Sequence, residues 1–302
     1  MGVFNLEEKE GFGPSVQVTF PSNITKKQLQ EFVPFRDWKT TLRQNLQLQR
    51  DEDDHAHHRE PYELRSVEVQ SVDWFGPKTI GFVKISAKIK NQNPDKEDLP
   101  GIALLRGGSV AVLMVLRPQD AKDERYVILT EQPRIPAGSL RFLEIPAGML
   151  DGSNDFIGKT AKEIQEETMI KVRREDLINM TELALQESQV KDTLQTAMYP
   201  SPGGSDEFIP IYLWEKELDR QRIEELRGKL TGQRTQGEMI TLRVCDYEDL
   251  WREGARDAKT LAAWALYEGL SRAGILQDAL EQKRRTSGSN SPDGHPQRQK
   301  TL

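Results

Sequence analysis

The stretch GMLDGSNDFIGKTAKEIQEETMI, residues 148–170, combines a glycine-containing turn with a helix that carries an unusual set of charges. The helical half places Glu163, Glu166 and Glu167 three and four residues apart, which brings their carboxylates to one face. Such carboxylates repel one another by about 0.2–0.5 kcal/mol per pair, and the helix dipole disfavours them near a C-terminus. Because hard divalent cations bind carboxylate oxygens, the spacing predicts a metal site. A solvated acidic helix face is the alternative.

The residues around these glutamates favour a site beside a loop. Ala147 and Gly148 end a strand, and the DGSND that follows is typical of a turn. The opposite helix face carries Ala161, Ile164 and Thr168, which are small enough to lie close against a sheet. The sequence therefore predicts a carboxylate face beside a loop whose main-chain groups can approach a phosphate.

Composition and charge limit the classes of function. The 302 residues carry a formal net charge of −6, so the chain lacks the basic field that captures nucleic acid backbones. Its single cysteine, Cys245, cannot form an internal disulfide, which fits a reducing compartment. We find neither an apolar stretch of membrane-spanning length nor a signal-peptide core, and therefore expect a cytoplasmic protein with no membrane and no nucleic acid as partner.

Hydrophobic patterning predicts a mixed α/β protein. Alternation with period two from Tyr62 to Ile89 indicates antiparallel strands, and residues 110–116 and 125–132 are typical of central strands. Residues 176–186 also resemble a strand. We expect four segments: a flexible N-terminus (1–14), an N-terminal helix with antiparallel strands (15–100), the main α/β domain (101–281) and a disordered tail (282–302).

Residues 148–170 resemble the Nudix box, G-x5-E-x7-R-E-U-x-E-E-x-G-U, in which U is a bulky aliphatic residue. The matching positions are Gly148, Glu163, Ile164, Glu166, Glu167 and Ile170. In that family the glutamates bind divalent metals that bridge the substrate phosphates, and the carbonyl before the glycine, here that of Ala147, joins them. The resemblance implies two or three Mg²⁺ ions, with Mn²⁺ as a substitute. It also implies an α/β/α sandwich with a mixed sheet, plus a β-rich N-terminal appendage.

Three positions depart from the box. Asn154 stands where the first glutamate belongs, Lys162 replaces the arginine and Met169 replaces the second glycine. An Asp155–Lys162 pair can support the loop, although lysine lacks the bidentate fork of arginine. These departures leave open a second function, a non-catalytic Nudix-fold module that senses a nucleotide sugar. A third hypothesis, an RNA-decapping enzyme, is disfavoured by the negative net charge of the chain.

Segments outside the box are similar to the ADP-sugar branch of the family, and most of all to plant-type ADP-sugar diphosphatases. They include TEQPRIPAG (130–138), LEIPAGMLD (143–151), YPSPGGSDE (199–207) and VDWFGPKTIGF (72–82). This resemblance implies hydrolysis of ADP-ribose or ADP-glucose to AMP and a sugar phosphate. It also implies a homodimer in which the N-terminal strands complete the partner's site.

The same resemblance identifies substrate-binding residues. Arg134 is the candidate for holding a phosphate through a fork contact, the alternative being a surface arginine paired with a neighbouring acid. Gly148 and the loop residues Ser201, Gly203 and Gly204 are expected to lie against the sugar or the phosphates.

A late loop supplies the last candidate. Glu238, in TQGEMITLRV (235–244), resembles the glutamate that serves the family as a further metal ligand or as the base for the attacking water. The alternative is an ordinary polar loop residue. Glu144, just before the box, is expected to support the site from behind, and Trp74 is either a stacking residue or part of the N-terminal core.

Overall fold

The computed structural model describes residues 1–6, 11–12, 16–121, 123–150, 158, 165, 168, 170–189, 192–231 and 239–288. The chain divides into two compact units, each made of three stretches of sequence. The first unit contains Met1–Ala111, Ala147–Thr160 and Leu185–Ile211, and the second contains Val112–Pro146, Ala161–Ala184 and Tyr212–Leu302. The four segments expected from the sequence stay a prediction.

The first unit is built on a mixed sheet with the order β1-β2-β3-β4-β5. Its strands are β1 (Gly2–Leu6), β2 (Val16–Phe20), β3 (Tyr62–Trp74), β4 (Ile80–Asn91) and β5 (Ile102–Leu105). The β2–β3 pair is parallel, and the other pairs are antiparallel. The predicted period-two alternation is confirmed, because buried and exposed residues largely alternate along β3 and β4.

Two helices contribute to the same core, α1 (Lys26–Glu31) and α2 (Val33–Asp51). A capping box begins α1: the Thr25 side chain accepts a hydrogen bond from Gln28 N at 3.2 Å, and Gln28 Oε1 accepts one from Thr25 N at 2.9 Å. The fully buried residues of these helices in the core are Leu29 and Phe35. Trp74 is partly buried and packs against this core, which favours the core role expected for it.

The second sheet has the order β10-β11-β6-β7-β13-β12, with β8 paired to β7 and β9 paired to β6. Its strands are β6 (Ser109–Pro118), β7 (Tyr126–Arg134), β8 (Ser139–Glu144), β9 (Ala147–Met149), β10 (Ile178–Asn179), β11 (Ile211–Leu218), β12 (Leu230–Thr231) and β13 (Ile240–Asp246). All but one residue of β6 are buried, as a continuous apolar run requires. The central strands predicted at 110–116 and 125–132 are confirmed.

The second half of the described chain contributes five helices. They are α3 (Met180–Leu185), α4 (Arg220–Glu224), α5 (Leu250–Glu253), α6 (Ala258–Arg272) and α7 (Ile275–Gly288). Short 3-10 turns occupy Ile135–Ala137, Arg174–Asp176 and Tyr247–Asp249. Helix α7 extends through residues 282–288, which the composition assigns to the disordered tail; residues 289–302 lie outside the described part.

The strand predicted at 176–186 is wrong beyond Asn179, where the chain enters helix α3. Asn179 Oδ1 accepts hydrogen bonds from Glu182 N at 3.1 Å and from Thr181 Oγ1 at 2.7 Å, so it caps the helix. The residues that follow include Leu and Ala, which are strong helix formers. This cap and this composition outweigh the short apolar pattern.

Helices and mixed sheets together confirm the predicted α/β class. Within the described ranges, no helix has the length and apolar character needed to span a membrane.

Candidate functional site

Four of the predicted site residues lie outside the described part of the chain: Glu163, Glu166, Glu167 and Glu238. The departures from the box, Asn154, Lys162 and Met169, lie outside it as well. Metal binding by these glutamates therefore stays a prediction.

Among the described positions of the same segment, Thr168 belongs to the face predicted to pack inward. Gln165 and Thr168 are helical, and Gln165 is exposed, whereas Thr168 is fully buried. Thr168 Oγ1 accepts a hydrogen bond from Ile170 N at 3.2 Å. The face predicted to pack inward is thus buried at Thr168.

Ala147 and Gly148 lie in strand β9, as the sequence predicts for a strand that ends at the box. Gly148 pairs with Val110 and Ala147 with Ala111 in an antiparallel register. Leu150 N then donates a hydrogen bond to Gly108 O at 3.0 Å. Both predicted residues are half-buried, so the backbone just before the turn is fixed by strand pairing while remaining partly open to solvent.

The loop that contains Ser201, Gly203 and Gly204 is exposed and is anchored by its backbone. Gly204 N donates to Ser201 O at 3.1 Å, and Gly204 O accepts from Leu104 N of β5 at 2.9 Å. A Cβ added at Gly203 or Gly204 would meet no described atom within 4 Å, so packing does not require these glycines. Contact between the loop and a substrate stays a prediction.

Asp206, which the sequence did not single out, holds the end of this loop. Its carboxylate accepts hydrogen bonds from Arg106 N at 2.7 Å and from Gly107 N at 3.1 Å. Burial raises the pKa of Asp206 above its ordinary value, and the two backbone donors oppose that rise. Next to it, Glu207 Oε1 accepts from Ser109 Oγ at 2.8 Å and lies 3.0 Å from Arg106 Nη1.

A cavity of about 1000 Å³ opens within the first unit. The described residues that line it come from helices α1 and α2, the tip of the β3–β4 hairpin, Arg106–Gly108, Met149–Leu150 and the segment 194–208. Five aromatic side chains contribute to the wall: Phe32, Trp38, Phe75, Tyr199 and Phe208. A space of this size, lined by aromatic side chains together with polar and charged ones, can hold a small molecule.

In the second unit, Arg134 pairs with Glu144. Arg134 Nε and Nη2 lie 2.7 and 2.6 Å from Glu144 Oε1, and Glu144 is only 1% exposed. Lys259 Nζ contacts the other carboxylate oxygen and lies 2.8 Å from Asp257 Oδ1. Arg134 is thus paired with a neighbouring acid, as the alternative interpretation expected. A contact between its remaining donors and a phosphate stays a prediction.

The first turn of α6 joins this cluster to the end of β8. Asp257 Oδ2 accepts from Thr260 N at 3.1 Å and from Thr260 Oγ1 at 2.5 Å, which caps the helix. Thr260 Oγ1 in turn accepts from Ile145 N at 3.0 Å. Asp257 and Lys259 were not predicted as parts of this cluster, although an aspartate just before a helical segment is a signal for a helix start.

No cluster of three or more His, Cys, Asp or Glu side chains that could hold a metal ion occurs in the part of the chain that the structure describes. The predicted glutamate set is not part of that description.

Comparison with known proteins identifies one curated relative. Nudix hydrolase 14, chloroplastic, of Arabidopsis thaliana is 40% identical over 214 residues, which are 70% of this chain and 65% of that protein. The chain therefore spans just under two thirds of the relative's length. A solved structure described as an ADP compounds hydrolase covers 71% of this chain and 96% of its own, with 14% identity and a TM-score of 0.43. No family model matches the chain.

Identity of 40% over 214 residues confirms the resemblance that the box and its flanking segments predict. Over these 214 residues the chain is similar to a member of the Nudix hydrolase family.

Proposed function

We propose that this protein hydrolyses the pyrophosphate bond of a nucleoside diphosphate sugar, ADP-ribose or ADP-glucose, to AMP and a sugar phosphate. The observation that carries the proposal is the 40% identity to a plant Nudix hydrolase. The complete set of Glu163, Glu166 and Glu167 supports it, because these carboxylates repel one another unless a cation is bound.

The donor set fits Mg²⁺, with Mn²⁺ as a substitute. Three carboxylates and the Ala147 carbonyl offer hard oxygen ligands, which this cation prefers. Glu238 joins them as a ligand or serves as the base for water. When bound, such ions neutralise phosphate charge and orient a water molecule. The half-buried, strand-paired backbone at Ala147 supports this assignment, since its position is fixed before a ligand arrives.

In this proposal Arg134 holds a phosphate. Glu144 fixes the Nε edge of the guanidinium, while the side chain remains 41% exposed. A guanidinium held at one edge loses less conformational entropy when its other donors bind a phosphate. The exposed backbone around Gly203, together with Gly148, lies against the sugar or the phosphates.

Two further properties belong to the proposal. We expect a homodimer formed through the N-terminal strands, which light scattering after size-exclusion chromatography measures directly. We also expect a cytoplasmic location, which a fluorescent fusion tests.

The decisive experiment is product analysis with ADP-ribose and ADP-glucose, in Mg²⁺ and in EDTA. Glu167→Gln is expected to lower the rate of AMP release by more than about 100-fold, because even residues that only support metal ligands contribute about 10- to 100-fold. Glu253→Gln, an exposed glutamate of α5, is the matched control and is expected to leave the rate unchanged.

Three outcomes separate the alternatives. AMP release that requires both Mg²⁺ and Glu167 supports the hydrolase. Tight binding of either compound without cleavage would instead identify a sensor module, which the departures at Asn154, Lys162 and Met169 favour. If the protein neither cleaves nor binds them, the substrate class is wrong.

A further inference from the structure

Helix α7 contacts the segment that follows the Nudix box. Lys283 Nζ donates hydrogen bonds to Glu175 O at 2.8 Å and to Leu177 O, which lie 108 and 106 residues earlier along the chain. The first carbonyl belongs to the 3-10 turn Arg174–Asp176, and the second belongs to the residue that follows the turn. Helix α7 and residues 161–184 are parts of the second unit, so the contact lies within one compact unit.

One side of α7 is packed, which fixes the position of Lys283. Leu276 is 1% exposed, and Leu280 and Lys283 are half-buried. Spacings of four and three residues place these three side chains on one face of the helix. Burial lowers the pKa of Lys283 below its ordinary value, and the nearby carboxylates of Asp176 and Glu175 oppose that fall. The ammonium group is thus partly withdrawn from water where it meets the two carbonyls.

The turn that Lys283 holds is itself well connected. Arg173 Nη2 and Nε lie 2.7 and 3.1 Å from the two carboxylate oxygens of Asp176, and Asp176 N donates to Arg173 O at 3.0 Å. Leu177 is 4% exposed, and Ile178 begins strand β10, which pairs with β11. Lys283 therefore attaches α7 to a turn that is fixed by its own contacts and by the sheet.

A short connection joins this turn to the helix of the box. Thr168 is helical and fully buried, and its Oγ1 accepts a hydrogen bond from Ile170 N at 3.2 Å; the helix has ended by Ile170. The acidic set, Glu163, Glu166 and Glu167, comes just before Thr168 in the sequence. Carboxylates at these spacings near a helix C-terminus destabilise the helix when no cation is bound. This end of the helix therefore depends on contacts from outside it.

We propose that Lys283 is a positioning residue for the metal site: by holding the turn Arg174–Asp176, it fixes the end of the helix that carries the acidic set. The proposal rests on the proposed function and deepens it, because it adds a residue outside the Nudix box to those on which metal binding depends. Metal ligands must be held within about 0.5 Å of their working geometry, so a small displacement of this end is sufficient to weaken binding.

The test is titration of the full-length protein with Mn²⁺, in which electron paramagnetic resonance measures the free ion without any turnover. Glu167→Gln, which removes a predicted ligand, identifies the binding that belongs to the acidic set. Lys283→Met preserves helix propensity and is expected to weaken that binding about tenfold, as does the loss of a group that supports a metal ligand. Arg285→Met, which removes an exposed cation of the same helix, is the matched control.

The sign of the change separates position from charge. Removal of a positive charge by itself favours the binding of a cation, so a purely electrostatic effect of Lys283→Met would strengthen Mn²⁺ binding. A purely structural effect would lower the melting temperature and leave the Mn²⁺ affinity of the folded protein unchanged. Weaker binding below the melting temperature is the result expected of a positioning residue. Lys283→Gln, which keeps an N–H donor, is the second variant and is expected to weaken binding by a smaller factor.

The results also distinguish this inference from the proposed function. If the protein releases AMP but the Lys283 variants change neither the Mn²⁺ affinity nor the Mg²⁺ concentration needed for turnover, the inference is wrong and the hydrolase stands. If Mn²⁺ binding depends on Lys283 but no nucleotide sugar is cleaved, the inference stands and the hydrolase is wrong. Equal weakening by Arg285→Met would overturn the inference, as would Mn²⁺ binding by the parent protein that does not depend on Glu167.

Discussion

Each of the two units holds a carboxylate whose partners the sequence did not predict, and the partners differ in kind. Asp206 of the first unit accepts hydrogen bonds from backbone N–H groups of Arg106 and Gly107. Glu144 of the second unit is buried between the side-chain cations of Arg134 and Lys259. Neutral backbone donors leave the charge of Asp206 only partly compensated, whereas two cations compensate that of Glu144. The first arrangement fixes a loop, and the second ties the stability of the unit to its ion pairs.

The largest effect on stability is expected when one of the ion pairs of Glu144 is broken. Lys259→Met removes one of the two cations at buried Glu144, and truncating one partner of a buried pair costs about 3–5 kcal/mol. We expect the free energy of unfolding, measured by urea denaturation, to fall by about that amount. Lys88→Met, on the exposed side of β4, is the control. Equal effects of the two changes would show that the ion pair contributes little.

An intermediate effect is expected at Arg134, where a substitution should lower activity more than it lowers stability. Arg134→Lys keeps the positive charge beside Glu144 but removes the guanidinium fork. We expect kcat/KM for the nucleotide sugar to fall roughly 10- to 100-fold, the equivalent of one charge-assisted hydrogen bond, with a small change in melting temperature. Arg141→Lys removes a comparable but exposed pairing with Glu131 and serves as the reference. An unchanged kcat/KM would leave Arg134 as a structural residue only.

The smallest effect on stability is expected at Asp206, which backbone N–H groups hold, and it depends on pH. Because burial raises the pKa of Asp206 above its ordinary 3.8, the folded state binds its proton more tightly than the unfolded state does. The stability linked to this proton is present below pH 3.8 and is lost as the pH rises through the folded-state pKa. Asp206→Asn removes this loss, so we expect the variant to gain stability relative to the parent between pH 4 and pH 7.

Urea denaturation at several pH values measures this trend, with Asp278→Asn, an exposed residue of α7, as the control. A difference between Asp206→Asn and the parent that stays constant with pH would mean that the carboxyl titrates normally. The two carboxylates would then differ in their partners but not in their electrostatics.

Much of the fold could be predicted because it depends on local patterns. The alternation in β3 and β4, the apolar run of β6 and the Ala-Gly pair of β9 are all visible in short windows of sequence. The wrong strand prediction at α3 also comes from a local pattern. A short apolar segment fits the period of a strand or that of a helix, and the cap at Asn179 decides for the helix.

The site was predictable only where a motif marks it. Ala147 and Gly148 lie in a strand as expected, because the box is a local signature. Asp206 and Lys259 carry no such signature: their partners lie 100 and 115 residues away along the chain. Phe75 was part of a segment with recognisable similarity, but its half-exposed ring depends on how Gly81 and Phe82 pack. Contacts between distant segments are what sequence patterns do not report.

The hydrogen bond from Asn45 of α2 to Thr193, 148 residues later, ties two distant stretches of the chain together. It attaches a wall of the cavity, contributed by the N-terminal part of the chain, to a segment that follows the Nudix box. Substitutions along that wall can change the cavity while Glu163, Glu166 and Glu167 stay as they are, so the cavity and the acidic set can vary independently among related sequences.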